Sequence, residues 1–400
     1  MAAREVVILG AARSPIGRYG GAFKDLHPAE LGAVATRAAL DRAGVPPDEV
    51  DEVIIGHGRQ SGSGPNPARQ VAHRSGIPVT APAYTINKAC ASGLQALASA
   101  AHSILLGESD CVVAGGIESM SRMPYLVDSI DARWGHRMGH FPLVDAMYRD
   151  GFQDPLSGLI MGETAEVLAR QYGITREQSD AFALESQQKA EAAQKAGHFT
   201  REIAPVIVEE RGKTTVITSD EHPRHGTTLE GLAKLPLVFP KVEGSAGIIT
   251  AGSSSGITDG GAALVVSSDR WAADRGLKPL ARITGWASAG VDPRLMGIGP
   301  VPAIKKLYEK HGLDLESFDL VELNEAFAAQ VLAVLKDVPI PREKLNVNGG
   351  AIALGHPIGC TGARLVVTLL HEMERRDAAS GLATLCVSGG MGMALAIERL

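Results

Sequence analysis

The length, composition and charge of the chain exclude several classes of protein. Its 400 residues and 41.8 kDa suffice for two or three packed units and exclude one small domain, because single cores stop growing at roughly 250 to 300 residues. Hydrophobic residues make up 45% and charged residues 21%, which is typical of a folded α/β protein. A net charge of −6 gives no general positive field, so we expect neither a nucleic acid partner nor a polybasic membrane surface.

Cysteine usage and the first residues predict a reducing compartment, and we expect the cytoplasm. The four cysteines are too few for a disulfide scaffold, and no pair has the C-x-x-C spacing of a zinc or redox site. A strand-like run, Val6 to Leu9, begins almost at once and leaves no room for a signal peptide. No apolar stretch reaches the roughly 18 residues of a membrane span, so no membrane insertion is expected.

The first predicted helix and strand recur in the second half of the chain. At an offset of 268, residues 36–56 align with residues 304–324. In both copies the helix ends at a glycine, Gly44 or Gly312, as a left-handed C-terminal cap requires. A short loop with an aspartate then leads into an apolar strand, so the order helix, loop, strand is predicted twice.

A second pair of segments repeats in the same order. At an offset of 269, NKACASGLQAL aligns with HPIGCTGARLV, which makes Asn87 the counterpart of His356 and Gly93 that of Gly362. Each copy alternates strands with amphipathic helices, a pattern that calls for sheets covered by helices. We therefore expect an α/β fold with two pseudo-symmetric halves, divided as 1–121 plus 248–275, an inserted region at 122–247, and 276–400.

The inserted region interrupts the pattern with methionines, aromatic residues and polar turns. It contains one predicted helix, which begins after Thr175 and ends at Gly197. The sequence TREQ is a capping box, in which the side chains of Thr175 and Gln178 each accept from the other's backbone amide. The position of this region between the halves indicates an insertion that caps a site.

Cys90 is the first candidate for chemistry. It lies where the apolar strand PAYTI gives way to a helix that is predicted to begin near Ala91 or Ser92. Backbone amides and the positive dipole end at a helix N-terminus lower the pKa of a thiol, and the same amides suit an oxyanion. The alternative is that Cys90 is a buried small hydrophobic residue, which is the commoner fate of cysteine.

Three further residues are candidates, and each has a structural alternative. His356 lies in the turn GHPIG, and its place in the repeat predicts a position near the pseudo-twofold axis and Cys90. Alternatively, its ring only makes the hydrogen bonds of a structural loop. Asn324, between a strand and a helix, is alternatively an N-cap with Phe327 in the core. Cys386, at the end of a strand, is alternatively inert packing.

The remaining cysteines and histidines predict no further site. We expect Cys111 and Cys360 to be inert. His222 and His225 in EHPRHG have the residue type of metal ligands, but no third ligand lies at a suitable spacing. A solvated turn and no metal are therefore predicted.

Four blocks appear in order along the chain: NKACASGLQA, NEAFA, GGAIALGHPIGCTGAR and CVSGGMG. Through them the sequence resembles the thiolase family, the acetyl-CoA acyltransferases, along nearly its whole length. The resemblance implies a duplicated five-layer αβαβα fold with an inserted loop domain. It implies that Cys90 carries the acyl group, that His356 activates it, and that Cys386 moves the proton at the substrate α-carbon. Asn324 would orient a water that forms, with His356, an oxyanion site for the enolate.

The resemblance also implies a second oxyanion site and a set of CoA contacts. That oxyanion site would use the backbone amides of Cys90 and Ser388, and Ser388 departs from the glycine that thiolases usually carry. The stretch ITAGSSSGITDG matches the family's pantetheine-binding loop. The residues implied in binding the pantetheine, the acyl channel and the nucleotide end are Ala251, Ser255, Gly256, Met161, Phe239 and Arg224.

The inserted region is similar to that of short-chain, acetoacetyl-CoA-forming thiolases, through GHRMGHFPLVDAMYRDG and MGETAE. Small-substrate members usually have a histidine before that methionine, and this chain has Ile160, so the acyl-chain length stays open. The resemblance implies a homodimer or a homotetramer, with the inserted region joining dimers. It also implies a place in lipid metabolism, such as fatty acid β-oxidation.

The predicted function is reversible, ping-pong transfer of an acyl group between CoA and acetyl-CoA through acyl-Cys90, with CoA as a substrate and no permanently bound cofactor. Three alternatives stay open. A ketosynthase-type condensing enzyme would use one cysteine, and Cys386 argues against it. A non-catalytic acyl-CoA or lipid-binding protein is kept open by Ser388. A cysteine hydrolase would form the same acyl-enzyme but would use water as the acceptor.

Overall fold

The computed structural model describes residues 4–127 and 129–400. The strands are β1 Val6–Arg13, β2 Gly17–Arg18, β3 Glu52–His57, β4 Ala83–Ile86, β5 Cys111–Ser119, β6 Tyr125–Leu126, β7 Val144–Asp145, β8 Val206–Glu210, β9 Lys213–Ile217, β10 Lys241–Val242, β11 Ser245–Ala246, β12 Thr258–Ser268, β13 Ala281–Gly290, β14 Leu320–Leu323, β15 Ser380–Val387 and β16 Met391–Arg399. The helices are α1 Pro28–Ala43, α2 Pro67–Arg74, α3 Ser92–Leu106, α4 Ser129–Trp134, α5 Met161–Tyr172, α6 Arg176–Ala196, α7 Leu229–Ala233, α8 Asp269–Asp274, α9 Pro300–His311, α10 Ala328–Asp337, α11 Ala351–Leu354 and α12 Ile358–Arg376.

Two sets of strands in the same order form the two halves. The N-terminal set runs β4-β3-β5-β12-β1, and the C-terminal set runs β14-β15-β16-β13. Antiparallel pairing of β1 with β13, at Val7–Arg282 and Ile8–Ala281, joins the two sets edge to edge. In each half the strand that follows the first repeated helix pairs in parallel, β3 with β5 and β14 with β15. The sheet order therefore confirms the duplication that the sequence predicted.

The alternation of side chains along β1 separates the layers. Val6 and Ile8 pack with α3 and α12 in a central helical layer, whereas Val7 and Leu9 pack on the opposite face against α1. A further outer layer, which includes α5, α9 and α10, covers the other face of the C-terminal strands. The order is helices, sheet, helices, sheet, helices, which confirms the expected five-layer fold.

Helices α3 and α12 cross at the two glycines that the repeat paired. A Cβ atom on Gly93 would lie 2.7 Å from the backbone of α12, and one on Gly362 would lie 2.3 Å from the backbone of α3. Only glycine allows so close an approach. Because α3 follows Cys90 and α12 follows His356, this crossing brings the beginnings of both helices together in the central layer.

The predicted helix ends are confirmed. Gly44 caps α1 with φ 66° and Gly312 caps α9 with φ 65°, both in the left-handed region. Helix α6 begins with the capping box of Thr175 and Gln178 and ends at Gly197, which has φ 74°. Local chemistry was therefore sufficient to place these ends.

The described residues of the inserted region form four α-helices, α4 to α7, and a π-helical turn at Tyr148–Phe152, rather than the single helix that was predicted. The largest omission is α5, which has Ile160 at its N-cap position and lacks the polar N-cap residue that announces a helix. Only Glu163 marks its start, by accepting from the Ile160 amide at 2.8 Å. Packing of its buried face against the C-terminal half stabilises this helix instead.

One segment corrects the expectation that no stretch is apolar enough to span a membrane. By length and composition Ala89–Leu106 meets that criterion, with a mean hydropathy of 1.3 over 18 residues. The window includes α3, which lies between the two sets of strands, and 61% of the window is buried. Its apolar character is that of a core helix of a folded domain.

Candidate active site

The turn that carries Cys90 is held by its own residues. A single 3-10 turn spans Ala89–Ala91 and α3 begins at Ser92, where the sequence predicted a helix start. Ala89 has φ 45°, a left-handed conformation that costs free energy for a residue with a Cβ. Asn87 Oδ1 stabilises this conformation by accepting from the Ala89 amide at 3.0 Å. The turn thus fixes Cys90 in a half-buried position.

The surroundings of Cys90 act on its thiol in opposite directions. Burial raises the pKa of Cys90. The charge of the Arg59 guanidinium and hydrogen bonds from the backbone amides of Ser388 and Cys90 itself lower that pKa, whereas the Glu118 carboxylate raises it. The two amides donate to the sulfur from different segments, which is the arrangement that the second oxyanion site requires.

His356 lies between α11 and α12 with one ring nitrogen engaged and the other free. Its Nδ1 lies 2.6 Å from the Thr361 hydroxyl, which itself donates to the Pro357 carbonyl at 3.0 Å. The hydroxyl therefore accepts from Nδ1, and the lone pair is left on Nε2, which is buried and has no hydrogen-bond partner among the described residues. Burial, followed by the charges of Arg364 and Arg59, lowers the pKa of His356 to about 3. The imidazole is thus a neutral proton acceptor at pH 7.

Asn324 has a buried side chain with no protein partner. Its backbone amide donates to Thr384 of β15 at 3.0 Å. Within residues 4–127 and 129–400, neither Oδ1 nor Nδ2 of Asn324 has a hydrogen-bond partner, although its exposed fraction is 0%. Such an amide needs a water or a ligand, because burying it unpaired costs about 1–3 kcal/mol. The alternative of an N-cap is wrong, since Phe327 occupies the N-cap position of α10.

Cys386 lies two residues beyond Thr384, at the end of β15. Its side chain is buried and packs with Met296 and Ala326. Burial raises the pKa of Cys386, and the charge of the nearby Cys90 raises it further. Cys386 is therefore a protonated thiol beside Cys90 at neutral pH.

Ser388 begins the turn that follows β15. The left-handed residues of this turn are Gly389 and Gly390, with φ 87° and 80°, whereas Ser388 is absent from the residues with positive φ. A side chain at position 388 is consequently compatible with the backbone. Its amide points to Cys90, so the departure from the usual glycine leaves the donor in place.

Four of the residues implied in CoA binding lie against this cluster. Ser255 donates its amide to the carbonyl of Ala326 at 3.0 Å, and the Gly256 carbonyl accepts from the His356 amide at 3.0 Å. Met161 packs beside Cys386. Phe239 lies over Gly162, the second residue of α5, where a Cβ atom would be 2.2 Å from the ring. Backbone pairing thus brings the pantetheine-type loop to His356 and to Ala326, which packs with Cys386.

The other two residues lie at the rim. Arg224 and Ala251 are exposed, and the Arg224 amide donates to Gln187 at 2.9 Å. His222, which was predicted to lie in a solvated turn, instead packs its ring on Gly256, with Nδ1 2.7 Å from a backbone carbonyl of α11. The prediction was wrong because the tight packing allowed by Gly256 is not visible in the sequence. The His225 ring is paired with a glutamine of α6, and the described residues contain no group of three or more potential metal ligands.

Sequence reasoning missed a buried cluster behind the Cys90 turn. The Glu118 carboxylate, at the end of β5, accepts from the amides of Gly58, Arg59 and Gly359 at 2.9–3.2 Å. His57 Nε2 lies 3.0 Å from the same carboxylate. One carboxylate therefore ties the end of β3 to the first turn of α12. The signal in the sequence was the polar run GHGR across the end of a buried strand.

The chain matches two family models that together cover nearly all of it. Residues 6–270 match the N-terminal domain of thiolase, and residues 277–399 match the C-terminal domain. The chain belongs to the thiolase family. It is 52% identical to an acetyl-CoA acetyltransferase of Cupriavidus necator over 396 residues, which is 99% of each protein.

Solved structures in the thiolase family have the same fold. The acetyl-CoA acetyltransferase of Bacillus anthracis superposes with a TM-score of 0.96 at 50% identity and 100% coverage of both chains. Human mitochondrial 3-ketoacyl-CoA thiolase in complex with CoA superposes with a TM-score of 0.94 at 43% identity, covering 99% of this chain and 98% of that one. The five-layer fold of this chain is therefore that of the thiolase family.

Proposed function

We propose that this protein is an acetyl-CoA acetyltransferase that transfers acyl groups between CoA and acetyl-CoA by a ping-pong mechanism through acyl-Cys90. The observation that carries the proposal is the convergence of two cysteines with two buried polar groups, His356 Nε2 and the Asn324 amide, that lack protein partners among the described residues. A full-length relative with this activity, at about half identity, supports the same reaction.

Cleavage begins at Cys90. His356 Nε2 takes the thiol proton, and the thiolate attacks the 3-oxo carbon of a 3-oxoacyl-CoA. The amides of Cys90 and Ser388 donate to the oxyanion that forms there. The bond between C2 and C3 then breaks, which leaves the acyl group on the sulfur and the electron pair on C2 as the enolate of acetyl-CoA.

The enolate is held and protonated on the other side of the site. Asn324, through a bound water, and His356 donate to the thioester oxygen, while Cys386 gives its proton to C2. The raised pKa of Cys386 fits this step, because the thiol stays protonated until the carbanion develops. Acetyl-CoA leaves, and free CoA gives its thiol proton to the Cys386 thiolate as its sulfur attacks acyl-Cys90. Acyl-CoA is released when the Cys90 sulfur leaves and takes back the proton held by His356. The reverse sequence forms the C–C bond, with the Cys386 thiolate as base.

CoA would follow the line of residues from the cysteines to the surface. Ser255 and Gly256 present backbone groups beside His356, and Met161 and Phe239 supply apolar surface for the pantetheine arm. Arg224 and Ala251, at the exposed rim, fit the outer part of the molecule, where a cation suits phosphate. CoA is thus a substrate, and no step uses a permanently bound cofactor or a metal.

Oligomerisation through two surfaces is also part of the proposal. β4 is the edge strand of the N-terminal half, and Tyr84 on it is 40% exposed, which suits pairing with a second copy in a homodimer. The inserted region exposes Trp134 (79%) and Met138 (90%), which suits contact between dimers in a homotetramer. Sedimentation of Trp134→Ser and Met138→Ser would test the second contact, since loss of tetramers with retention of dimers is expected.

The remaining assignments are proposals of the same kind. The division into 1–121 plus 248–275, 122–247 and 276–400 is supported by β12 and α8, which return to the N-terminal strands after the inserted region. Cytoplasmic location is supported by four cysteines without a disulfide. Fatty acid β-oxidation would use the cleavage direction on longer chains.

CoA-dependent loss of acetoacetyl-CoA tests the reaction. We expect rapid cleavage that disappears in Cys90→Ala and persists in Cys111→Ala, a matched loss of a buried thiol from the far face of β5. Substrates of increasing chain length would then set the specificity. Release of free acid instead of acyl-CoA would favour a cysteine hydrolase. Condensation that persists without Cys386 would favour a ketosynthase-type enzyme. Binding of acyl-CoA without turnover would favour an acyl-CoA-binding protein.

A further inference from the structure

Arg59 is a buried cation whose guanidinium forms no ion pair with a carboxylate of the described residues. Its exposed fraction is 7%. Its guanidinium donates to the carbonyls of Gly58 (3.3 Å) and Gly151 (2.8 Å) only, and its Nε has no hydrogen-bond partner within the described residues. No ion pair in residues 4–127 and 129–400 includes it. A buried charge without a counter-ion is costly, so an anion that forms nearby would be stabilised.

The hydrogen bonds of Arg59 place its guanidinium beside the Cys90 turn. The Gly58 carbonyl that accepts from Arg59 also accepts from Asn87 Nδ2 at 3.1 Å, and Asn87 Oδ1 holds the Ala89 amide. One carbonyl and one side chain therefore link the guanidinium to the residue before Cys90. A Cβ atom on Gly58 would lie 3.4 Å from the Ala89 carbonyl and 2.9 Å from the first side chain of α12, so the fit is close on both sides.

The Glu118 carboxylate binds backbone amides and does not pair with the Arg59 guanidinium. Glu118 accepts from three backbone amides, those of Gly58, Arg59 and Gly359, and from none of the guanidinium nitrogens. The inserted region closes the other side, since a Cβ atom on Gly151 would lie 3.0 Å from Arg59 Nε. The guanidinium is thus shielded from water, and its charge lowers the pKa of the Cys90 thiol while the charge of Glu118 raises it.

We propose that Arg59 is an electrostatic positioning residue that stabilises the Cys90 thiolate and so sets the reactivity of this thiol at neutral pH. The inference rests on the proposed function only in taking Cys90 as the nucleophile. The Arg59 charge opposes the effect of burial on the pKa of Cys90, and it also contributes to the low pKa of His356. The ionisable groups whose interaction with this thiol the structure records are Arg59, Glu118 and Cys386, and the proposed reaction adds His356 as its proton acceptor.

The test is the pH dependence of alkylation of Cys90 by iodoacetamide, followed on its peptide by mass spectrometry. We expect Arg59→Met and Arg59→Gln to slow the reaction about tenfold at pH 7, which corresponds to a midpoint raised by about one pH unit. Arg59→Lys, which keeps the charge, should recover most of the rate. Arg37→Met serves as the control, because Arg37 also donates to a backbone carbonyl but lies exposed on α1.

An unchanged midpoint in folded neutral variants, or an equal change in Arg37→Met, would overturn the inference. Thermal unfolding shows whether the variants fold. If neither neutral variant folds, Glu118→Gln removes a negative charge near the Cys90 thiol instead of a positive one. It should lower the pH midpoint of alkylation, and an unchanged midpoint would contradict electrostatic control of the thiol. Because alkylation needs no acyl-CoA, the result is independent of whether the protein cleaves acetoacetyl-CoA.

Discussion

The buried, neutral state of His356 makes the stability of the protein depend on pH. The perturbation is His356→Asn, which places at this position the residue that its repeat counterpart, Asn87, already has. Asparagine does not titrate, and its amide can still donate to Thr361. Comparison of the two proteins isolates one imidazole, because the other histidines with lowered pKa values, His222 and His371 among them, are common to both.

The magnitude follows from the two pKa values. The folded protein has His356 with a pKa of about 3, and the unfolded chain has an ordinary imidazole near 6.5. Because the folded pKa is depressed, the contribution of the neutral His356 imidazole to the free energy of unfolding is complete above pH 6.5. It is lost as the pH falls towards 3. At pH 5 the unfolded imidazole is almost fully protonated and the folded one is not. About 1.5 pH units at 1.36 kcal/mol each give roughly 2 kcal/mol of lost stability relative to pH 8.

Urea unfolding at pH 8 and pH 5, followed by the fluorescence of the three tryptophans, measures this difference. We expect the parent protein to lose roughly 2 kcal/mol more than His356→Asn between these two pH values. The absolute stability of the variant does not enter, because only the change with pH is compared. Equal losses in the two proteins would mean that the folded His356 imidazole takes up its proton at the same pH as the unfolded one, near 6.5, and would refute its depressed pKa.

Three further predictions concern the enolate, the second oxyanion site and the helix crossing. Asn324→Ala should lower the rate of C–C bond cleavage about 10²- to 10³-fold and leave the transfer of an acetyl group from acetyl-CoA to the Cys90 thiol nearly unchanged. Single-turnover measurements separate the two steps, and a parallel loss in both would refute a role at the enolate. Ser388→Gly should change kcat less than about threefold, because the backbone amide is retained. Ser388→Pro lacks that amide and should lower kcat about 10²-fold or more. Equal activities of the two variants would exclude the amide from the oxyanion site. Gly362→Ala should destabilise the protein by about 1–3 kcal/mol or more in urea unfolding, because its Cβ would lie 2.3 Å from the backbone of α3. Gly231→Ala is the matched control, since the atom nearest to its Cβ would be 3.4 Å away. Similar unfolding midpoints for both variants would contradict the close crossing.

Residues at element ends were predictable because their chemistry is local. The glycines after α1 and α9, the capping box of α6 and the helix start after Cys90 each depend on the conformation of two to four neighbouring residues. The repeat extended this to the fold, since two copies of one pattern of strands and helices require two halves of the same architecture. Helix α5, whose N-cap is Ile160, had no such local signal and was missed.

The sequence by itself thus determined the helix ends that local chemistry marks, the duplication and the choice of candidate side chains for the proposed reaction. The tertiary structure alone decided the states of those side chains: which His356 nitrogen is free, that the Asn324 amide lacks a protein partner, and that Arg59 stands behind the Cys90 turn. These states depend on contacts between residues far apart in the chain, such as Glu118 with Gly359 and Arg59 with Gly151. Periodicity and capping report only on near neighbours, whereas desolvation and charge depend on everything that surrounds a group in space.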